Sequence, residues 1–423
     1  MNTAPHFTET PAMRAAAHVD AARVIASIDT LARFGARDDG GVDRPTLSTL
    51  DIAARRHLIE RAHALGCTVT TDACANLFIR RAGLEDLPPV MTGSHIDTQP
   101  TGGRLDGSYG VLAGFECLAA LVDAGLITRR PLEVAIWTNE EGTRFQPGAM
   151  GSSAFVDPSR LAVYRDARDA AGVSLAEALD AHRAALPSLE WRKPCTAHAF
   201  IELHIEQGPL LELADAPLGV VTGIQGVRWY SVRCHGAAAH AGTTPMHARR
   251  DAMTLAIAVR TEIERFATEL GGDATRITFG RWSVEPNSIN TIASLAVFSV
   301  DFRHPDLTVL ARFDEHLADC AARHGAAVQT EAWFAHAPVQ FDDAALARVR
   351  NACDAVGARS LPIISGAFHD AMYLAKHCAA AMLFVPSRAG ISHNPLEATD
   401  DDHLVLGTRA LAHCLVELCN EAP

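Results

Sequence analysis

His95 and Asp97 stand two residues apart where an apolar run closes in Thr92-Gly93-Ser94-His95-Ile96-Asp97-Thr98, and Asp106 follows in the turn Gly102-Gly103-Arg104-Leu105-Asp106-Gly107. An imidazole can bind a metal ion, a nearby carboxylate can orient the ring from behind, and a further carboxylate can supply the next oxygen ligand. A second apolar run, Leu132 to Trp137, ends in Asn139-Glu140-Glu141-Gly142. Of two carboxylates at a strand end, one can bind metal while its neighbour moves protons. The chemistry these residues point to is metal-dependent hydrolysis.

A two-metal hydrolytic site needs a bridging carboxylate, terminal His or carboxylate ligands on each ion, and a base for the bridging water. Asp106 fits the bridge, His95 and His204 complete one ion, and Glu141 and His393 complete the other. Metal binding lowers the pKa of water toward neutrality. Glu140, beside a ligand but pointing elsewhere, would take the proton and pass it to the leaving nitrogen. The chain has twenty histidines, and a lone one is ordinarily a surface or satisfied core residue, which is the plainer reading of His204 or His393 taken singly. His95 differs because its His-x-Asp pair follows an apolar run and precedes a glycine-bracketed Asp. Glu140-Glu141 alone reads equally as a solvated helix start. Periodicity places Glu202, His204 and Glu206 on one strand face, so any of the three could face metal. His240 sits among small residues in Ala238-Ala239-His240-Ala241-Gly242-Thr243-Thr244-Pro245. They allow close approach of a substrate, or simply form a loop after a strand. Arg303 could grip a carboxylate through two bonds or lie at the surface, and Asn287 and Asn290 fit turn positions.

The elements that must carry these residues alternate between short apolar strands and amphipathic helices. Helices are predicted over Val19 to Phe34, over Thr49 to Leu65, and from a Ser108 cap to Gly125. Strands are predicted over Cys67 to Arg80, Pro89 to Ile96, Leu132 to Thr138 and Ala199 to Ile205. That order implies an α/β fold with a mostly parallel sheet and helices on both faces. Ligands of such sheets bind beyond the carboxyl ends of the strands, where His95, Asp97, Glu140, Glu141 and His204 all fall. After Gly226 the order becomes strand (Trp229 to His235), helix (His247 to Leu270), strands (Arg276 to Ser283, Thr291 to Arg303), helix (Leu307 to Arg323) and strand (Ala327 to Phe334). This is the ferredoxin-like split unit, read as a domain over 226–335 inserted into a catalytic domain of 1–225 and 336–423. The first domain resumes with helices Asp343 to Val356 and His369 to His377, a strand Ala381 to Val385, and a loop carrying His393.

The 423 residues favour more than one domain. A net charge of −13 and the lack of a basic block argue against nucleic-acid binding. No apolar run approaches the roughly 20 residues of a membrane helix, and Met1 to Ala12 lacks the pattern of a secretory signal. Ten scattered cysteines without a C-x-x-C pair read as reduced, buried thiols. The expected location is the cytoplasm. Lys193 and Lys376 are the only lysines, which leaves little room for Schiff-base chemistry. Sequence motifs for a serine nucleophile elbow, a dinucleotide fold or a phosphate loop are absent.

Together the segments GSHIDTQPTGGRLDGSYGVL, TNEEGTRF, LHIEQGP, AAHAGTTPM and VPSRAGISHNPLE resemble the M20 family. The resemblance is to its branch of N-carbamoyl-L-amino acid hydrolases, β-ureidopropionases and allantoate amidohydrolases, and runs from about Val19 to Leu418. It implies that His95, Asp106, Glu141, His204 and His393 hold two divalent cations, zinc foremost with manganese, cobalt or nickel as alternatives. It implies that Glu140 is the general acid/base, that His240 steadies the oxyanion, and that Gln225, Asn290 and Arg303 hold substrate, Arg303 on its carboxylate. It also implies a homodimer formed through an inserted domain that acts as a lid. The expected reaction is hydrolysis of an N-carbamoyl amino acid to the amino acid, ammonia and carbon dioxide, with allantoate hydrolysis or aminoacylase and dipeptidase activity as rivals. A binding protein that keeps the fold without the chemistry is the alternative of another class, and the intact Glu140 argues against it. Phe368 stands where the family often has glycine, which bears on substrate size.

Overall fold

The computed structural model describes residues 9–192 and 196–422, which divide into two compact units. One is Gly223–Gln340, and the other comprises the chain on either side of it. The strands are β1 (Thr68–Thr71), β2 (Leu77–Arg81), β3 (Val90–His95), β4 (Leu132–Trp137), β5 (Glu190–Trp191), β6 (Ala199–Ile205), β7 (Leu218–Ile224), β8 (Gly226–His235), β9 (Arg276–Thr278), β10 (Trp282–Glu285), β11 (Leu295–His304), β12 (Val328–His336), β13 (Val339–Gln340), β14 (Ser360–Ser365) and β15 (Ala379–Val385).

The larger sheet runs β13-β7-β15-β6-β3-β4-β2-β1-β5, with β14 beside β7. At its centre β15, β6, β3 and β4 are mutually parallel, while β2 joins β4 and β7 joins β15 in antiparallel fashion. Every residue of β3, β4 and β6 is buried, as expected of strands covered on both faces, and this is why they read as continuous apolar runs rather than alternating ones. The cover includes helix Ser108–Asp123 and the C-terminal helix Asp401–Cys419, both buried along most of their length.

Several elements differ from the sequence expectation. Cys67 to Arg80 is not one strand but two antiparallel ones, separated at Ala75, which adopts positive φ. Ser108 does not cap its helix. Gly107, at φ 62°, takes the cap position, and the Ser108 hydroxyl instead accepts a hydrogen bond from buried Arg44 at 2.9 Å. The predicted helix over His369 to His377 contracts to Ala371–Leu374.

The inserted unit carries an antiparallel sheet in the order β10-β11-β8-β12, with β9 also on β11. β11 alternates strictly between partly buried and buried residues. Its inward face packs with apolar positions of helices Ala252–Gly271 and Leu307–His324 in one core that includes Phe298, Val300, Phe302, Val259, Ile263, Phe313 and Leu317. The first of these helices begins five residues later than predicted from His247, because Asp251 caps it by accepting from the N–H groups of Met253 and Thr254.

Candidate metal centre

The four parallel strands deliver their carboxyl ends to one rim, and the titratable residues hang from it. His95 is the last residue of β3, Glu140 and Glu141 follow β4, His204 lies near the end of β6, and His393 is in the loop after β15. Asp106 comes from the turn before helix Ser108–Asp123.

Asp106 is where two donor groups meet. His95, Asp106 and His204 offer ligand atoms all within 4.8 Å of one another, and so do Asp106, Glu141 and His393. Asp106 Oδ1 lies 3.2 Å from His204 Nε2 and 3.7 Å from His95 Nε2. Its Oδ2 lies 3.1 Å from His393 Nε2, which in turn is 3.6 Å from Glu141 Oε2. Glu140 Oε2 comes within 3.4 Å of His95 Nε2.

The hydrogen bonds behind the rings suit a cation. His95 Nδ1 lies 2.9 Å from the Asp97 carbonyl, and His204 Nδ1 lies 2.9 Å from the Ile205 carbonyl. A carbonyl only accepts, so Nδ1 carries a proton in each ring and Nε2 faces Asp106. Gly107 permits this closeness, since a Cβ there would fall 2.3 Å from the His95 ring.

Asp97 works differently from the sequence expectation. Its carboxylate is 3.7 Å from His95 Nδ1, and only its carbonyl holds the ring. The carboxylate is committed to the next strand end, where its oxygens accept the N–H groups of Glu140 and Glu141 at 3.3 and 3.2 Å. The three candidates on β6 differ in what they face. Glu202 accepts from the Ser94 hydroxyl and the Ala371 N–H, and Glu206 accepts from the N–H groups of Leu210 and Leu211. His204 faces Asp106, and Glu202 joins His204 and His369 in a further buried group of ligand atoms within 4.8 Å of one another.

The electrostatics argue for the same chemistry. Burial, then the charges of Asp370, Glu141 and Asp106, push the Glu140 carboxyl well above its usual range. Burial and Asp106 raise Glu141 to about 8. Burial likewise raises Asp97 to about 7. Burial opposes a charged His204, yet the hydrogen bond and charge of Asp106 hold it at about 9. The hydrogen bond to Asp106 raises His393 to about 9 as well. Carboxylates crowded in this way call for positive charge, and ligand groups give up such protons when a cation binds. The donor set of mixed imidazole and carboxylate fits a divalent transition metal.

Some residues at the rim escaped the sequence reading. Gln99 donates to Glu141 Oε2 at 2.6 Å, and Gln207 donates to Asp106 Oδ2 at 2.9 Å. His369 is buried, bonded to the Ser365 hydroxyl at 2.9 Å, with its ring 4.6 Å from that of His204. A His-Asp pair after a strand was the available signal for His369.

The remaining candidates lie in the inserted unit. His240 Nδ1 accepts the N–H groups of Gly242 and Thr243 at 3.0 and 3.3 Å. Its Nε2 therefore carries the proton and is a donor. The Ala241 N–H bonds the Asn290 carbonyl, and His240 bridges to Thr291, so the His240 and Asn290 loops are neighbours. Asn290 Oδ1 accepts from the Ser288 hydroxyl. Arg303 is gripped in two-point fashion by Asp301, at 3.0 and 2.8 Å. Gln225 Oε1 is buried without a hydrogen-bond partner.

Residues 91–417 match the description Peptidase family M20/M25/M40. The chain belongs to this family. Its M20 relatives include an N-carbamoyl-L-amino-acid amidohydrolase of Paenarthrobacter aurescens, 37% identical with 94% of this chain and 98% of the relative covered. An allantoate amidohydrolase of Bacillus subtilis is 34% identical, with 92% and 96% covered. Among solved structures, a hydantoinase/carbamoylase family amidase from Burkholderia multivorans superposes with a TM-score of 0.89 at 42% identity, covering 96% of this chain and 99% of that one. Among the described residues, no helix is long and apolar enough to cross a membrane.

Proposed function

We propose that this M20 protein hydrolyses the ureido C–N bond of N-carbamoyl amino acids, releasing the amino acid, ammonia and carbon dioxide. The observation that carries the reading is Asp106, shared between His95 and His204 on one side and Glu141 and His393 on the other. The name of the relative at 37% identity supports the substrate class.

Two divalent cations, zinc first among the candidates, supply Lewis acidity toward the ureido carbonyl and toward water when bound. His95 and His204 would hold one, Glu141 and His393 the other, with Asp106 available to each. Glu140 takes a proton from the attacking water and returns it to the leaving nitrogen. The Nε2–H of His240 donates to the oxyanion that develops on the carbonyl. Arg303, already oriented by Asp301, binds the substrate carboxylate, and Asn290 and Gln225 offer amide groups to the rest of the substrate.

The inserted unit, 226–335 in sequence terms, acts as lid and as the contact of a homodimer. Support comes from its sheet, where the rings of Trp229 and Trp333 meet at a tilt of 45° with centroids 4.8 Å apart and Trp333 is half exposed. The charge and thiol pattern suit the cytoplasm.

The deciding assay follows ammonia release from N-carbamoyl-β-alanine, N-carbamoyl-L-methionine and allantoate, against amine release from N-acetyl amino acids. Turnover of an N-carbamoyl amino acid above the others is expected. An acetyl-amide rate without any ureido rate would refute the assignment. Preferential turnover of allantoate would move it to the activity named for the Bacillus subtilis relative.

A further inference from the structure

Glu397 does no chemistry in the mechanism above, yet it lies against the backbone of the central ligand. Its side chain is buried. Oε1 accepts the N–H groups of Leu105 and Asp106 at 3.0 and 3.1 Å. Oε2 accepts the Ser392 hydroxyl at 2.8 Å, and Ser392 is the residue before His393. One carboxylate therefore bonds the backbone that presents Asp106 and the loop that presents His393, segments nearly three hundred residues apart in sequence. The turn has made room for it, since a Cβ on Gly103 would fall 2.2 Å from Glu397 Oε1.

We propose that Glu397 is a positioning residue that fixes Asp106 and His393 relative to one another, so that the cation they share meets both at once. The inference rests on the reading of Asp106 and His393 as ligands. A backbone N–H has one direction, and two of them converging on one oxygen restrict where that oxygen can sit. With Ser392 bonded to the other oxygen, the two ligand segments form one body. Without Glu397 two buried N–H groups lose their acceptor and the Asp106 turn loses that restraint.

The test uses the full-length protein, stripped of metal with a chelator and titrated with Zn2+ or Mn2+ by calorimetry, alongside thermal melts of the stripped forms. Glu397→Leu is expected to weaken cation binding roughly 10- to 100-fold, the range for groups that orient metal ligands, while Glu397→Gln stays within about threefold of wild type. The glutamine oxygen can accept both N–H groups, and its amide can donate to Ser392. Gly103→Ala displaces the carboxylate while leaving it chemically intact, and is expected to weaken binding as Glu397→Leu does. It decides the matter if Glu397→Leu fails to fold. Wild-type affinity in Glu397→Leu or Gly103→Ala, or an equal loss in Glu397→Gln and Glu397→Leu, overturns the role of Glu397. Wild-type protein that takes up no cation overturns instead the ligand reading on which the role depends.

Discussion

Glu140 reaches to within 3.4 Å of His95 Nε2, on the edge of the donor set without belonging to either group that shares Asp106. A carboxylate so placed can exchange protons beside a bound cation without competing for it. Glu140→Gln keeps the shape and removes the proton carrier. Turnover is expected to fall about 10²- to 10⁴-fold, with metal content by atomic emission unchanged. Wild-type turnover at wild-type metal content would remove Glu140 from the reaction.

Asp97 acts on the backbone that presents both glutamates. Asp97→Asn exchanges one of its two acceptors for a donor that faces an N–H. The expected result is a loss of roughly 10- to 100-fold in kcat/KM or metal affinity. A variant indistinguishable from wild type in both would show that the bonds to Glu140 and Glu141 are dispensable.

Arg303 is paired with Asp301, which sets the plane of its guanidinium before any ligand arrives. Arg303→Ala is expected to raise KM for carboxylate-bearing substrates about 10- to 100-fold, the worth of a hydrogen bond to a charged group at about 1.5–3 kcal/mol. Uncharged ureas should lose much less. Equal effects on the two classes would exclude carboxylate recognition.

Metal removal should abolish turnover and lower the melting temperature, and added divalent cation should restore both. At a free concentration one hundred times Kd, a ligand of the folded state adds about 2.7 kcal/mol of stability. Differential scanning calorimetry across a cation series checks this, and melting curves that ignore the cation contradict it.

His182 gives a pH dependence away from the metal centre. Its ring is buried with Nε2 unpaired, and burial, with Arg55 and Arg183 nearby, lowers its pKa to about 3. An unfolded histidine titrates near 6.5. Between those values the unfolded chain takes up a proton that the folded chain refuses, so stability falls as pH drops. The loss is about 2 kcal/mol at pH 5. Urea unfolding at pH 7 and pH 5 should show a gap smaller by about that amount in His182→Gln. An unaltered gap would mean that His182 titrates normally in the fold.

The strands that carry the site were legible because burial on both faces leaves unbroken apolar runs, and each run ends where its polar residue begins. Val90–His95 and Leu132–Trp137 are of this kind. The ferredoxin-like order was legible from β11, whose alternation is a one-sided sheet written in sequence. What escaped depended on partners distant in the chain. Ser108 has the right residue type for a cap, but Arg44, sixty-four positions away, takes its hydroxyl. Gln99, Gln207 and Glu397 look like ordinary polar loop residues until folding brings Glu141 and Asp106 to them. Helix Asp401–Cys419 is buried around much of its circumference, which blurs the amphipathic period that reveals a surface helix.

The chain leaves the larger unit after Thr222 and re-enters it at Phe341, and the Phe341 N–H bonds the Thr222 carbonyl at 3.1 Å. Exit and entrance are thus adjacent rungs of one ladder, and every donor of the metal set is encoded outside the stretch between them. Evolution, or an engineer, can treat that rung as a socket. Exchanging the insert there would leave every donor around Asp106 encoded as it is now.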